Sequence, residues 1–143
     1  MIQGLAPLVN ADTRLLVLGS FPGVASLRGQ QYYGHPQNQF WKIVTTLLAS
    51  DAAHVLALPY DERAQWLLGQ GVGLWDVYAS CEREGSLDAN IQQAQPNDLQ
   101  SLRQRCPALL AIAHNGGESF KHAKRSQALG VPVYHLPSTS PAH

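Results

Sequence analysis

The chain has 143 residues, of which 45% are hydrophobic and 14% are charged, whereas charged residues usually make up about a quarter of a soluble domain. A chain of this length can bury about two thirds of the surface that its unfolded form exposes. We therefore expect one domain, residues 1–143, that folds without disulfides or metal. Lysine plus arginine equals aspartate plus glutamate, ten each, which excludes the general electrostatic attraction of a strongly basic nucleic-acid binder.

Cysteine content and the absence of targeting segments indicate the compartment. Cys81 and Cys106 are the only cysteines, too few for a four-cysteine zinc site or iron–sulfur cluster. The N-terminus lacks the basic start and apolar run of a secretory signal, and no stretch reaches the ~18 apolar residues of a membrane span. We expect a cytoplasmic protein with no metal, no cofactor and no membrane partner.

Apolar runs and helical spacing predict alternating strands and helices. In chain order, the pattern first predicts a strand at 14–18, a helix at 38–50 after Pro36, a helix at 61–70 with Asp61 as N-cap, and a strand at 72–77. A polar surface connection follows at 85–98, and Asn97 caps a helix that runs to residue 105. The last predicted elements are a strand at 108–113, a helix at 117–129 ended by Gly130, and a strand at 131–136.

The predicted strands are almost continuously apolar, which is typical of parallel strands covered on both faces. Strands that alternate with helices favour the same arrangement. The sequence therefore predicts an α/β protein, a three-layer α/β/α sandwich around a central, mainly parallel four-stranded sheet.

Unusual segments follow each of the four predicted strands. They are Gly-Ser-Phe-Pro-Gly at 19–23, Asp76 in an apolar context, His-Asn-Gly-Gly at 114–117 and Pro-Ser-Thr-Ser-Pro at 137–141. Ligands of open parallel sheets bind beyond the carboxyl ends of the strands, so these segments predict one shared site. Each segment alone also fits ordinary turn chemistry. The first matches neither the dinucleotide nor the P-loop glycine pattern.

Several motifs in this order carry a family resemblance. Gly-Ser-Phe-Pro-Gly at 19–23, His-Pro-Gln-Asn-Gln-Phe-Trp at 35–41, Leu-Trp-Asp-Val at 74–77 and the closing segment at 136–141 resemble the uracil-DNA glycosylase superfamily over essentially the whole chain. The closest likeness is to its hypoxanthine-DNA glycosylase branch, family 6. The element at 35–41 is also similar to the mismatch-specific uracil/thymine glycosylases. Relatives usually continue beyond the point where this chain stops, at His143, so we expect their C-terminal helix to be absent.

The resemblance implies a monofunctional DNA glycosylase of base excision repair. Such an enzyme flips a deaminated base, hypoxanthine (deoxyinosine) first, out of double-stranded DNA, hydrolyses its N-glycosidic bond and leaves an abasic site. The catalytic, water-positioning role passes to Asn38, because Phe21 stands where the mismatch-specific enzymes have a water-positioning asparagine. An amide can orient a water, although Asn38 also fits a local hydrogen-bonding role at a helix start.

Base binding is assigned to the ends of the first two strands and to one aromatic residue. The candidates are Gly19, Ser20, Phe21, Tyr33 and Asp76. Tyr33 would stack on the flipped base, or else be a half-buried core aromatic. An ionised Asp76 would accept a hydrogen bond from N1–H of hypoxanthine and repel the N1 acceptor of adenine, or else cap a turn.

The remaining candidates lie after the last two predicted strands and before the first helix. Hydroxyl and N–H groups suited to DNA phosphates come from Ser138, Thr139 and Ser140. Possible further site residues are His35, His114 and Asn115, the histidines as groups that neutralise the leaving base. The expected partner is double-stranded DNA containing a deaminated base, bound by a monomer without an iron–sulfur cluster.

Two other functions stay open at this point. One is a mismatch-specific uracil/thymine-DNA glycosylase, which keeps the chemistry and changes the base. The other is a non-catalytic module that binds lesion-containing or single-stranded DNA through Tyr32, Tyr33 and the basic residues at 121–125.

Overall fold

A computed structural model describes residues 1–141, and the last two residues of the predicted domain, 142 and 143, lie outside the described part. The strands are β1 (Ile2–Gln3), β2 (Leu15–Gly19), β3 (Val72–Asp76), β4 (Tyr78–Glu82), β5 (Gln92–Pro96), β6 (Ala111–Asn115) and β7 (Val133–Leu136). The helices are α1 (Val24–Gly29), α2 (Phe40–Leu48), α3 (Ala52–Leu56), α4 (Tyr60–Gly69), α5 (Leu102–Arg105), α6 (Gly117–Phe120) and α7 (Ala123–Gln127). Short 3-10 turns occupy Asp88–Asn90 and Leu99–Ser101.

The central sheet has the order β3-β2-β6-β7, and its three strand pairs are all parallel. Successive side chains of a strand point to opposite faces, so the apolar run of β2 serves two cores. One core contains Val17 and packs helices α2 and α4 against the sheet. The other contains Leu16 and Leu18 and packs α5 and the segment after α7. The predicted three-layer sandwich around a parallel four-stranded sheet is confirmed.

A second, antiparallel sheet with the order β1-β4-β5 was not predicted. Its strand β5 lies within the stretch 85–98, which the sequence analysis treated as a surface connection. The strand is rich in glutamine, largely exposed, and held by pairing with β4 across two register shifts. No apolar alternation marks such an edge strand, because the partner strand rather than local propensity stabilises it.

Several predicted helix boundaries are wrong for local reasons. Pro59 rather than Asp61 occupies the N-cap of α4, and Asp61 lies in its first turn. The cap before Leu99 is Asp98, whose side chain accepts from the Gln100 N–H, while Asn97 donates to the backbone oxygen of Asp76. The predicted helix 117–129 is divided into α6 and α7 at non-helical His122.

Both cysteines are free thiols in the core, with Cys81 0% and Cys106 2% exposed. Within residues 1–141, no helix combines the length and apolarity that crossing a membrane requires. The same residues contain no group of three or more His, Cys, Asp and Glu side chains arranged to hold a metal.

Candidate active site

A cavity of about 590 Å³ opens at the carboxyl ends of the central strands. This volume lies within the range of ~300–1,000 Å³ that is usual for small-ligand pockets. All predicted site residues except His114 line it: Gly19, Ser20, Phe21, Tyr33, His35, Asn38, Asp76, Asn115, Ser138, Thr139 and Ser140. Segments separated by more than a hundred residues thus meet at one edge of the sheet.

Gly19 and Asp76 are paired at the ends of β2 and β3. A Cβ atom at Gly19 would lie 2.5 Å from Oδ1 of Asp76 and 3.5 Å from the Tyr33 hydroxyl. Real Cβ atoms do not approach an oxygen so closely. Glycine is therefore required at this position for the carboxyl group of Asp76 to lie across the end of β2.

The Asp76 side chain is 5% exposed, and its Oδ2 has no hydrogen-bond partner within residues 1–141. Burial, together with the negative charge of Asp88, raises the pKa of this carboxyl to about 7, and Arg83 opposes the shift. A buried carboxyl oxygen without a partner is costly unless a donor satisfies it. Asp76 is therefore available to a donor on a bound ligand.

Tyr33 has a left-handed backbone, with φ of 56°, which is rare for a bulky residue. Its ring stacks on Phe40, with ring centres 4.3 Å apart and an angle of 25°. The buried hydroxyl lies close to the Asn115 amide but makes no hydrogen bond of normal geometry, and burial raises its pKa. Phe40 covers one face of the ring, so a ligand can stack only on the other.

Asn38 is half-buried at the start of α2. Its Oδ1 accepts a hydrogen bond of 2.9 Å from the N–H of Phe40, and its own N–H donates to the His35 oxygen. Asn38 therefore accepts a hydrogen bond from the backbone at the start of the helix and also lines the cavity. The amide oxygen keeps a second lone pair for a water.

The closing segment is held by Asn115. The side chain of Asn115 donates to the Thr139 hydroxyl and accepts from the Thr139 N–H, both at 3.0 Å. The Thr139 oxygen in turn accepts from the N–H of Gln39, just before α2. These bonds fix the closing segment against both β6 and the start of α2, and Ser138 and Thr139 line the cavity.

His114 lies away from the cavity. It is fully buried, with Nδ1 2.7 Å from Ser119 Oγ and Nε2 2.8 Å from Ser126 Oγ. Ser119 donates its single hydroxyl proton to the Leu18 oxygen, so His114 Nδ1 carries the proton and Nε2 accepts from Ser126. Burial lowers its pKa to about 4. We therefore leave this neutral imidazole out of the proposed site, whereas exposed His35 lines the cavity.

Sequence reasoning missed the wall formed by Ser86, Leu87, Asp88 and Ala89. Asp88 Oδ1 accepts a hydrogen bond of 2.6 Å from Ser20 Oγ. The only signal in the sequence was the polar composition of the stretch 85–98, which also fits an ordinary loop. The contact joins residues 68 positions apart, and no local pattern predicts such a pair.

The basic residues at 121–125 are partly used inside the molecule. Lys121 pairs with Glu118 at 2.9 Å. Arg125 donates to the Asn97 oxygen and contacts His122. None of these basic residues lines the cavity, so the site and the basic cluster are separate surfaces.

Comparisons with known proteins agree with this architecture. The family model of the uracil DNA glycosylase superfamily matches residues 6–143. Hypoxanthine DNA glycosylases of Methanosarcina barkeri and Methanosarcina acetivorans are 34% and 33% identical over 141 residues, 99% of this chain and 87% of each relative. A solution NMR structure of a Methanosarcina acetivorans protein described as a candidate uracil DNA glycosylase superposes with a TM-score of 0.87 at 33% identity, covering 98% of this chain and 85% of that chain. The chain belongs to the uracil DNA glycosylase superfamily.

Proposed function

We propose that this protein is a monofunctional DNA glycosylase of base excision repair that releases hypoxanthine from double-stranded DNA. The observation that carries the proposal is the single cavity shared by the unpartnered carboxyl of Asp76, the ring of Tyr33 and the amide of Asn38. A base that is to be hydrolysed must first leave the helix, and a cavity with an aromatic wall can receive it. The two curated relatives are named for hypoxanthine, which supports this choice of base.

Base choice would depend on Asp76. Hypoxanthine presents an N1–H donor beside the O6 acceptor, whereas adenine presents an N1 acceptor beside an amino group. The carboxylate of Asp76 would accept from N1–H and be repelled by the adenine N1. Backbone N–H groups of Ser20 and Phe21 would donate to O6, and Tyr33 would stack on the purine with the face that Phe40 leaves uncovered.

Hydrolysis would then use Asn38 to position water. The bond between C1′ and N9 breaks with its electron pair moving to the purine, and the sugar becomes oxocarbenium-like. A water bound by Asn38 Oδ1 adds to C1′ and releases a proton to the solvent, and the purine anion takes up a proton from the solvent as it leaves. Backbone N–H groups at 19–23 stabilise the negative charge on the leaving base. No lysine of residues 1–141 lines the cavity, so a Schiff base and strand cleavage are not expected.

The closing segment would hold the DNA strand. Ser138, Thr139 and Ser140 lie at the cavity, where their hydroxyl groups can bind phosphates on either side of the flipped nucleotide without reading sequence. His35 and Asn115 also line this cavity. We further propose that the protein acts as a monomer in the cytoplasm, a location suited to its two free thiols.

The test is base release from matched duplexes containing deoxyinosine, deoxyuridine or a thymine mismatch. We expect release of hypoxanthine and an abasic product without strand cleavage. Asn38→Ala should lose release while it retains binding to the deoxyinosine duplex. Release of none of the three bases by the parent protein would refute a glycosylase.

The second candidate is a uracil or mismatched-thymine glycosylase. Uracil presents an N3–H donor beside O4, the same pattern that Asp76 would meet on hypoxanthine, so this carboxyl alone does not separate the two bases. Faster release of uracil or thymine than of hypoxanthine in the same assay would favour that function. The non-catalytic module has less support, because the basic residues at 121–125 do not line the cavity.

A further inference from the structure

Residues 83–88, which we call the strap, follow β4 and cross the first loop of the site, residues 20–24. Hydrogen bonds join the strap to every second residue of this loop. The three contacts are Ser20 Oγ to Asp88 Oδ1 at 2.6 Å, Arg83 Nη2 to the Pro22 oxygen at 2.6 Å, and the Val24 N–H to Ser86 Oγ at 2.9 Å. The strap thus determines where the first loop lies.

Arg83, the first residue of the strap, is buried, with 8% of its surface exposed. Its Nε donates to the Gly85 oxygen at 2.8 Å, and its guanidinium lies 5.2 Å from the centre of the Phe21 ring. Its Nη1 has no partner within residues 1–141. Burying a guanidinium is costly, and only part of that cost is offset by these contacts. Burial lowers the pKa of Arg83, and the nearby Cys81, Asp88 and Asp76 oppose this shift.

Arg83 does not line the cavity, whereas both residues that it contacts in the first loop do. Phe21 contacts the guanidinium and also lines the cavity, and Pro22 follows it in the wall. Any displacement of Arg83 is therefore transmitted to the groups that would surround the base. A misplacement of ~1 Å in an active site can cost about 100-fold in rate.

We propose that Arg83 is a positioning residue for base release, which fixes Phe21 and Pro22 in the cavity wall by binding the strap to the first loop. The inference rests on the proposed function and adds to it a residue that touches neither base nor water. Its effect should be larger on the chemical step than on DNA binding, because the first loop supplies the N–H groups that stabilise the leaving base, whereas the groups proposed to bind phosphates are in the closing segment.

The experiment compares Arg83→Met, which keeps the length of the side chain, with Arg83→Lys, which keeps the charge but not the two-sided fork of donors. Arg103→Met is the matched control, because Arg103 is exposed and, among residues 1–141, its side chain bonds to Gln100 and the Ala128 oxygen alone. Each variant is measured for urea unfolding, for the Kd of a duplex with an uncleavable deoxyinosine analogue, and for the single-turnover rate of hypoxanthine release.

We expect Arg83→Met to lower the single-turnover rate by about tenfold or more while the Kd changes by less than about twofold. Arg83→Lys should recover part of the rate, and Arg103→Met should match the parent. A lower fraction of folded protein would instead reduce both binding and release in proportion. Equal rates for Arg83→Met and Arg103→Met, or equal losses in binding and rate, would overturn the inference.

A second variant decides the matter if Arg83→Met does not fold. Ser86→Ala leaves the buried arginine in place and removes only the bond to the Val24 N–H. We expect it to fold and to lower the rate with an unchanged Kd, whereas a parental rate would overturn the inference. Absence of any base release by the parent protein would refute the proposed function itself, and the positioning role with it.

Discussion

At the scale of single residues, Asp76 is the group whose charge decides what the cavity can recognise. Its pKa of about 7 means that the acid and the carboxylate are both present near neutral pH. The carboxylate only accepts hydrogen bonds, whereas the acid can also donate to the N1 of adenine. Base choice and the protonation of Asp76 are therefore coupled.

We expect the preference for hypoxanthine over adenine to fall as the pH falls below about 7. Asp76→Asn cannot ionise, so its preference should be weaker and independent of pH. The measurement is release from paired deoxyinosine and deoxyadenosine duplexes at pH values on both sides of 7. Asp12→Asn, at an exposed turn, is the control. A preference that Asp76→Asn leaves unchanged would remove Asp76 from base reading.

Asp76 and His114 should affect the free energy of unfolding in opposite directions. Asp76 ionises near 3.8 when unfolded and near 7 when folded, so stability falls as the pH rises between these values, by up to about 4 kcal/mol. His114 binds its proton near 6.5 when unfolded and near 4 when folded. Stability therefore falls as the pH drops between those values, by up to about 3 kcal/mol.

The Asp76→Asn variant should reveal the contribution of His114. Without the opposing carboxyl, its free energy of unfolding should decrease more steeply from pH 6.5 to pH 4 than that of the parent. At pH above 7 the variant should be the more stable protein, because the buried carboxylate is absent. Urea unfolding at a series of pH values checks both effects, and parallel profiles for the two proteins would contradict them.

At the scale of elements, the sequence predicted the four parallel strands because their apolar runs serve a core on each face. It did not predict β5, whose glutamines are stabilised by pairing with β4 rather than by burial. Site residues that depend on long-range strand pairing were missed for the same reason. Residues at or just beyond the ends of predicted strands, such as Asp76 and Asn115, could be placed by topology, whereas Asp88 is brought to Ser20 by the unpredicted sheet.

Gly19, at the end of β2, offers a test of the close approach to Asp76. We expect Gly19→Ala to displace the carboxyl group, to lower hypoxanthine release by about 100-fold, and to lower the free energy of unfolding by about 1–3 kcal/mol. Gly69→Ala is the matched control, because nothing lies within 4 Å of its new Cβ atom. That change at the end of α4 should stabilise the protein by about 0.5 kcal/mol. Equal rates for the two variants would show that Gly19 is replaceable.

The start of α2 offers a way to separate the two roles of Asn38. Serine is about as good as asparagine at helix starts, so Asn38→Ser should preserve the free energy of unfolding to within about 0.5 kcal/mol. The shorter hydroxyl cannot reach the same water, and we expect release of hypoxanthine to be largely lost. Asn38→Ala should lose both release and about 1 kcal/mol of stability. Full release by Asn38→Ser would limit Asn38 to its structural role.

At the scale of the whole molecule, the formal net charge is zero and the cavity lining within residues 1–141 contains no lysine or arginine. DNA would be held mainly by uncharged hydroxyl groups, which release few counterions. We expect the logarithm of the binding constant for a deoxyinosine duplex to fall with the logarithm of salt with a slope smaller than about 3 in magnitude. Binding titrations at several salt concentrations measure this slope, and a much steeper one would indicate an extended basic surface.

Because both cysteines lie in a single core, their reaction with thiol reagents can report large opening motions of the protein. Cys81 belongs to the small antiparallel sheet and Cys106 follows α5, yet both pack in the same layer. Thiol reagents can modify them only when that layer separates. If this core layer opens in one cooperative step, both thiols should be alkylated at the same rate. If the small antiparallel sheet separates from the core first, Cys81 should be alkylated before Cys106.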